Sequence, residues 1–128
     1  MKPKFRAWDK TENLMSDVRE ISFFDKYVEL ESGVFRGFDE VALMQSTGLT
    51  DKHTVDVYQG DIVWDDMNEE YGVVRIEEAK TIIEWDIYVE DLFERIELLE
   101  VVGNIYENKE LLEAFLKHKN DYSITQSG

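Results

Sequence analysis

Residues 58–89, YQGDIVWDDMNEEYGVVRIEEAKTIIEWDIYV, decide the fold class. The runs DIVW, YGVVRIEE and TIIEWDIYV are rich in β-branched and aromatic residues and are separated by polar turn-formers, the pattern of consecutive strands joined by hairpins. In the last run Ile83, Trp85 and Ile87 alternate with Glu84 and Asp86, the period of two of a strand with one buried and one solvated face. Gly60 permits a positive φ or a close backbone approach. The Asp61 carboxylate can accept from an N–H two residues on, in an Asx-type turn. Ile62 and Trp64 then face a core, DDMNEE forms the hairpin loop, and Gly72 restarts the partner strand. The Gly-Asp pair therefore reads as turn chemistry, and the architecture as an antiparallel meander.

Working outward, FRAW and NLMSDV flank the polar DKTEN, which predicts an N-terminal hairpin. ISFF and YVEL lie around Asp25 and Lys26, and Gly33 and Gly37 bracket VFR, so residues 21–40 read as short strands punctuated by glycine. The section that follows Phe38 reads as an ordered loop, because Gly48 and the polar run Thr50–Thr54 interrupt any period. In VEDLFERIELLEVVGNIYEN, Leu92, Ile96 and Leu99 suit a helix, while Ile96, Leu98, Val101 and Val102 suit a strand. Residues 89–100 thus stay open between the two, with a turn and then a strand as the preferred reading. ENKELLEAFLKHKN predicts a helix over 108–119: Asn108 is a good N-cap, acids crowd the first turn and Lys117 and Lys119 the last, and Leu111, Leu112, Phe115 and Leu116 share a face. Residues 120–128 offer too few apolar side chains to pack and read as a flexible tail.

The 128 residues suit a single domain with a core of useful size. Cysteine is absent, which removes disulfides, thiolate nucleophiles and cysteine-based metal sites, and is compatible with a reducing cytoplasm. The start has no apolar segment of the kind a secretory leader needs, and no stretch approaches a membrane span. A cytoplasmic location without membrane contact is the expectation. Charge is the unusual feature: 29 acids against 14 bases give a formal net charge of -15. Lys2, Lys4, Arg6 and Lys10 make the N-terminus basic, whereas Asp61 to Glu113 holds 17 acids and four bases. That half repels a phosphate backbone, which disfavours direct nucleic-acid binding.

Candidate chemistry is sparse. Asp65, Asp66, Asn68, Glu69 and Glu70 are oxygen-rich, but Tyr71 stands where a calcium loop of the EF-hand type needs glycine. His118 reads as dipole compensation at a basic helix end, and neither it nor His53 shows a partner. Ser46, His53 and Asp51 have the residue types of a triad without its strand–elbow–helix setting. Trp8, Trp64 and Trp85 read as packing. No catalytic, cofactor-binding or metal-binding residue is expected, and no cofactor.

Residues 43–63, LMQSTGLTDKHTVDVYQGDIV, resemble the signature of YopX-like proteins, a family encoded by phages and prophages, whose usual form is close to LMQ-x-TGL-x-DKNG-x-x-IYEGDIV. KFRAWDK (4–10) and VVGNIYEN with ELL behind it (101–108 and 110–112) are similar to the family's first strand and closing strand–helix junction. The departures are His53-Thr54 for Asn-Gly, Gln59 for glutamate, and Lys109 where proline often starts the helix. The resemblance implies a mainly β fold: an N-terminal β section and loop (1–54), an SH3-like roll (55–107), a C-terminal helix (108–119) and the tail (120–128). It supplies no catalytic residues. The expectation is a phage or prophage accessory protein without enzymatic activity. It would act by binding an unknown protein of host or phage, or by self-assembly as a homo-oligomer, through the roll. The alternative is an acidic nucleic-acid mimic that occupies a host nucleic-acid-binding protein.

Overall fold

The computed structural model describes the backbone of residues 4–127 and the side chains of residues 4–119. The fold is mainly β, with two antiparallel sheets and a C-terminal helix. The chain divides into two compact units, residues 1–46 and 47–128.

In the first unit, β1 (Phe5–Asp9), β2 (Leu14–Ser22), β3 (Tyr27–Leu30) and β4 (Phe35–Gly37) lead through a 3-10 turn (Phe38–Glu40) to β5 (Val41–Thr50), whose residues up to 46 belong to this unit. β1 pairs with β2 and β5, β2 with β3, and β3 with β4, all antiparallel. The DKTEN hairpin is present. Asp9, buried at its start, accepts the Thr11 N–H at 2.9 Å and takes the Arg36 guanidinium at 3.1 Å. Ala7, Val28, Leu30 and Val41 form the core of this unit.

The expected loop after Phe38 is largely strand. Gly48 has φ +77 and bends β5 without ending it. Ladder pairing of β5 with β1, from Asp9↔Val41 to Phe5↔Gln45, overrides the weak local pattern. β6 (Asp56–Tyr58) follows and lies next to β5 in the sheet order.

The second unit continues with β7 (Asp61–Asp65), β8 (Glu70–Glu77), β9 (Lys80–Glu84), β10 (Val89–Asp91), α1 (Leu92–Arg95), a 3-10 turn (Ile96–Leu98), β11 (Glu100–Asn104) and α2 (Lys109–Ser127). β7 to β10 pair in succession and β11 returns to β7, giving the order β10-β9-β8-β7-β11. This is the meander read from residues 58–89. Gly60 has the positive φ, +89, and its N–H reaches the Val74 carbonyl at 2.8 Å. At Gly72 a Cβ would stand 2.6 Å from Ile83 Cγ2 and 2.9 Å from the Trp85 ring, so only glycine leaves room for both side chains against β8. Trp85 sits with Val57, Val63, Val74, Ile83, Leu92, Ile96 and Leu99 in the larger core. Phe115 of α2 closes a second cluster with Ile62 and Val73.

Four details differ from the sequence reading. The Asp61 carboxylate accepts from Tyr58 N–H at 2.8 Å, so it folds the chain behind it. The strand in TIIEWDIYV ends at Glu84 and the alternation holds only through Trp85, after which a turn closed by Trp85 N–H on the Tyr88 carbonyl at 2.9 Å carries Ile87 outward and Asp86 inward. Residues 89–100 hold a short strand, a helical turn and a 3-10 turn, so both periodicities are real and each lasts only a few residues. α2 extends beyond the expected end at 119. Lys117, His118 and Lys119 therefore lie within the helix, and Asn108 Oδ1 takes the Asn104 N–H at 3.0 Å at the end of β11. The side chains from 120 onward and Gly128, where the expected tail falls, lie outside the described residues.

Candidate functional site

The acidic loop between β7 and β8 separates into structural and free carboxylates. Asp65, almost fully buried, accepts from Met67 N–H at 3.0 Å, from Asn68 Nδ2 at 2.8 Å and from Arg95 Nη2 at 2.8 Å. Burial pushes its carboxyl up, but the Asn68, Arg95 and backbone hydrogen bonds outweigh burial and hold it below the usual aspartate range. Arg95 also reaches Glu90 at 2.9 Å, and Glu90 takes the Trp85 indole N–H at 2.7 Å. This chain of contacts ties the loop to α1 and the core. Asp66 points outward, where it accepts from Lys52 Nζ at 3.0 Å and from Trp64 Nε1 at 2.6 Å. The aspartates of this loop are thus taken up by the fold itself.

Glu70 is different. It opens β8, half-buried, and among the described residues no hydrogen bond reaches its carboxylate. The turn after β9 and the middle of α2 bring Asp86 and His118 to it, the three offering ligand atoms within 4.8 Å of one another. His118 Nδ1 lies 2.7 Å from Asp86 Oδ2, with the Asp86 side chain only 8% exposed. Burial first, and then the Asp86 charge, push the Glu70 carboxyl above the usual glutamate range, with His118 pulling the other way. Beside this trio is a cavity of about 240 Å³ bordered by Trp64, Glu69, Glu70, Tyr71, Ala114, Phe115 and His118. The Trp64 and Tyr71 rings meet at 4.7 Å along its wall.

His118 therefore has a partner that its place in the sequence conceals, because Asp86 lies a whole strand connection away. His53 faces Glu100 at 3.8 Å. The triad grouping dissolves: Asp51 is buried and accepts backbone N–H groups of His53 at 2.8 Å, Val55 at 2.9 Å and Val101 at 2.8 Å, which pin the 51–55 turn to β11. Of the tryptophans, Trp85 is core, while Trp64 and Trp8 are half-buried.

A second surface feature lies on residues 87–98. Ile87, Tyr88, Val89, Phe93 and Leu98 are each 43–75% exposed, around β10, α1 and the 3-10 turn. Asp91, Glu94 and Glu97 are interspersed with them. Periodicity did not single these residues out, since an apolar residue at a strand position is first read as core.

The family model described as YopX protein matches residues 4–113. Among solved structures, the crystal structure of protein EF1440 from Enterococcus faecalis is 28% identical, with a TM-score of 0.65 over 88% of this chain and 99% of that one. The crystal structure of protein yopX from Bacillus subtilis is 20% identical, with a TM-score of 0.61 over 87% and 98% of the two chains, a likeness of fold. Among curated proteins none matches the chain.

Proposed function

The chain belongs to the YopX protein family, and from that premise we propose that it is a phage or prophage accessory protein without enzymatic activity, which binds another protein through an SH3-like roll. The roll is read from the second unit: a four-strand meander β7 to β10, a 3-10 turn, and a last strand β11 that returns to pair with β7. The observation that carries the binding reading is the exposed apolar segment 87–98 on that unit. Large apolar side chains clustered on a surface favour association, because covering them removes hydrocarbon from water.

Charge selects the kind of partner. A second copy of this chain would bring Asp91, Glu94 and Glu97 against like charges on a molecule of net charge -15. A different protein, with an apolar patch rimmed by lysine or arginine, avoids that repulsion and gains steering. The alternative, a nucleic-acid mimic, rests on the acidity alone and predicts a complex dominated by screened charge.

The test uses the purified protein as bait, wild type beside Phe93→Ser/Leu98→Ser, with washes at low and high salt. A partner held by the wild type through high salt and lost from the double variant supports the reading. A partner kept by the double variant and released by salt overturns it in favour of the mimic, because screening weakens a charge-dominated complex. Sedimentation of the bait alone separates self-assembly from both.

A further inference from the structure

We propose that Glu70, Asp86 and His118 form a binding site for a divalent transition-metal cation, of the zinc, cobalt and manganese class, and that the ion pins α2 to the β8–β9 sheet. The three ligand atoms lie within 4.8 Å of one another. A single tetrahedral ion with ligand bonds near 2.0–2.1 Å needs them about 3.4 Å apart, so side-chain adjustment alone closes the site. The ligands converge from three elements: Glu70 from the start of β8, Asp86 from the turn after β9, and His118 from α2. This is a meeting of separate elements, unlike a run of acids on one loop.

The donor set chooses the metal. One imidazole and two carboxylates suit the borderline transition metals, whereas calcium takes six to eight oxygens and magnesium keeps most of its water. Two carboxylates with a neutral imidazole offset the charge of a divalent ion. Without the ion, Glu70 and Asp86 face each other with only the His118 ring between them in charge terms. Among the described residues no lysine or arginine pairs with either side chain: Lys119 of α2 donates to Glu84 Oε2 at 3.0 Å and to the Asp86 main-chain carbonyl at 3.2 Å. That main-chain contact fixes the turn that carries Asp86, so the backbone is held before any ion arrives. The adjoining cavity of about 240 Å³ leaves room for the water that completes coordination, with Glu69 at its edge.

None of the three ligands lies in the 87–98 segment, so this site stands independently of the protein-binding reading. The ion's role in this geometry is structural, because it adds a link between a helix and a sheet that already meet through Phe115, Leu111 and Leu112 and through the Lys119 contacts.

Cobalt(II) is the probe, titrated into full-length protein stripped with chelator, with visible absorption and thermal unfolding as readouts. The expected result is a saturable absorption at one ion per chain, displaced by zinc and unaffected by calcium or magnesium, with Tm raised by several degrees in excess metal. Glu70→Gln and His118→Ala should each remain folded and lose both signals, whereas Glu94→Gln, an exposed acid elsewhere, should keep them. Absence of a saturable signal overturns the proposal. So does a signal that survives Glu70→Gln combined with His118→Ala, or one that Glu94→Gln weakens equally, since either means diffuse attraction to an acidic surface.

Discussion

Asp65 and Glu70 are cross-strand partners at the two ends of one hairpin loop, paired in register between β7 and β8, yet the fold treats their carboxylates in opposite ways. Asp65 is surrounded by donors and its carboxyl is held low; Glu70 receives none among the described residues and its carboxyl is pushed high. The difference lies in what faces each: backbone N–H groups and Arg95 for the one, another carboxylate and a histidine beside a cavity for the other. A buried charge with its hydrogen bonds complete is a structural part. One left without donors opposes the fold, and such residues concentrate at sites with another use.

The comparison is broken most directly at Asp65. Asp65→Ala removes the partner of Arg95, whose side chain is 23% exposed, and frees the N–H groups that turn the loop. The expected cost is about 2–4 kcal/mol, toward the lower part of the range for losing one member of a buried pair because Arg95 keeps Glu90 and some water. Urea denaturation measures it. If Glu70→Ala costs as much, the two ends of the loop do not differ in kind.

Gly60 sharpens the structural side of the same contrast. At φ +89, Gly60→Val forces a β-branched residue into the left-handed region just ahead of buried Asp61, with an expected loss of about 1–3 kcal/mol in the same denaturation assay. An unchanged midpoint would show that the turn relaxes without harm, and that Asp61 does not depend on its geometry.

Acid titration separates the two carboxylate classes by sign. Asp51 and Asp65 have folded values below the unfolded aspartate value, so the native state binds fewer protons and their contribution is complete above the ordinary aspartate range. It is lost as pH falls from that range through the depressed folded values. Stability measured across this window should decline less steeply for Asp51→Asn and Asp65→Asn than for the wild type. Equal slopes would mean that these carboxylates are no better stabilised in the fold than in the unfolded chain.

Those structural roles were partly legible in the sequence. Glycine at 60, the period of two through Ile83 and Trp85, and the polar DDMNEE are local signals, and local signals specify turns and strands. The turn role of Asp61 is legible, but its bond to the Tyr58 N–H is not, because an Asx turn reaches two residues ahead and this contact reaches three residues back. β5 was missed since Gly48 and Thr50–Thr54 look like a loop until β1 supplies the ladder. The Glu70, Asp86 and His118 convergence was illegible for a firmer reason. It requires the β8–β9 register, a turn that reverses the inside and outside of Asp86, and the seat of α2 on the sheet. None of these is written in any one window of the chain.

Glu70 gives the smallest expected effect and the clearest sign. Its folded value lies above the 4.5 of an unperturbed glutamate, so between these two values the native state binds more protons than the unfolded chain, and stability falls as pH rises through that window. At neutral pH the whole penalty is present. Glu70→Gln removes the charge while keeping the shape, and in metal-free buffer it should therefore raise Tm slightly at neutral pH, by less than Asp65→Ala lowers it. The advantage should vanish on acidification below the glutamate range, where the wild-type carboxyl is protonated in both states. With cobalt or zinc present the order reverses, because the wild type gains the ion and the variant does not. A variant less stable than the wild type in chelator at neutral pH would mean that Glu70 contributes a contact to the fold, which would place it with Asp65 and remove the distinction between the two ends of the loop.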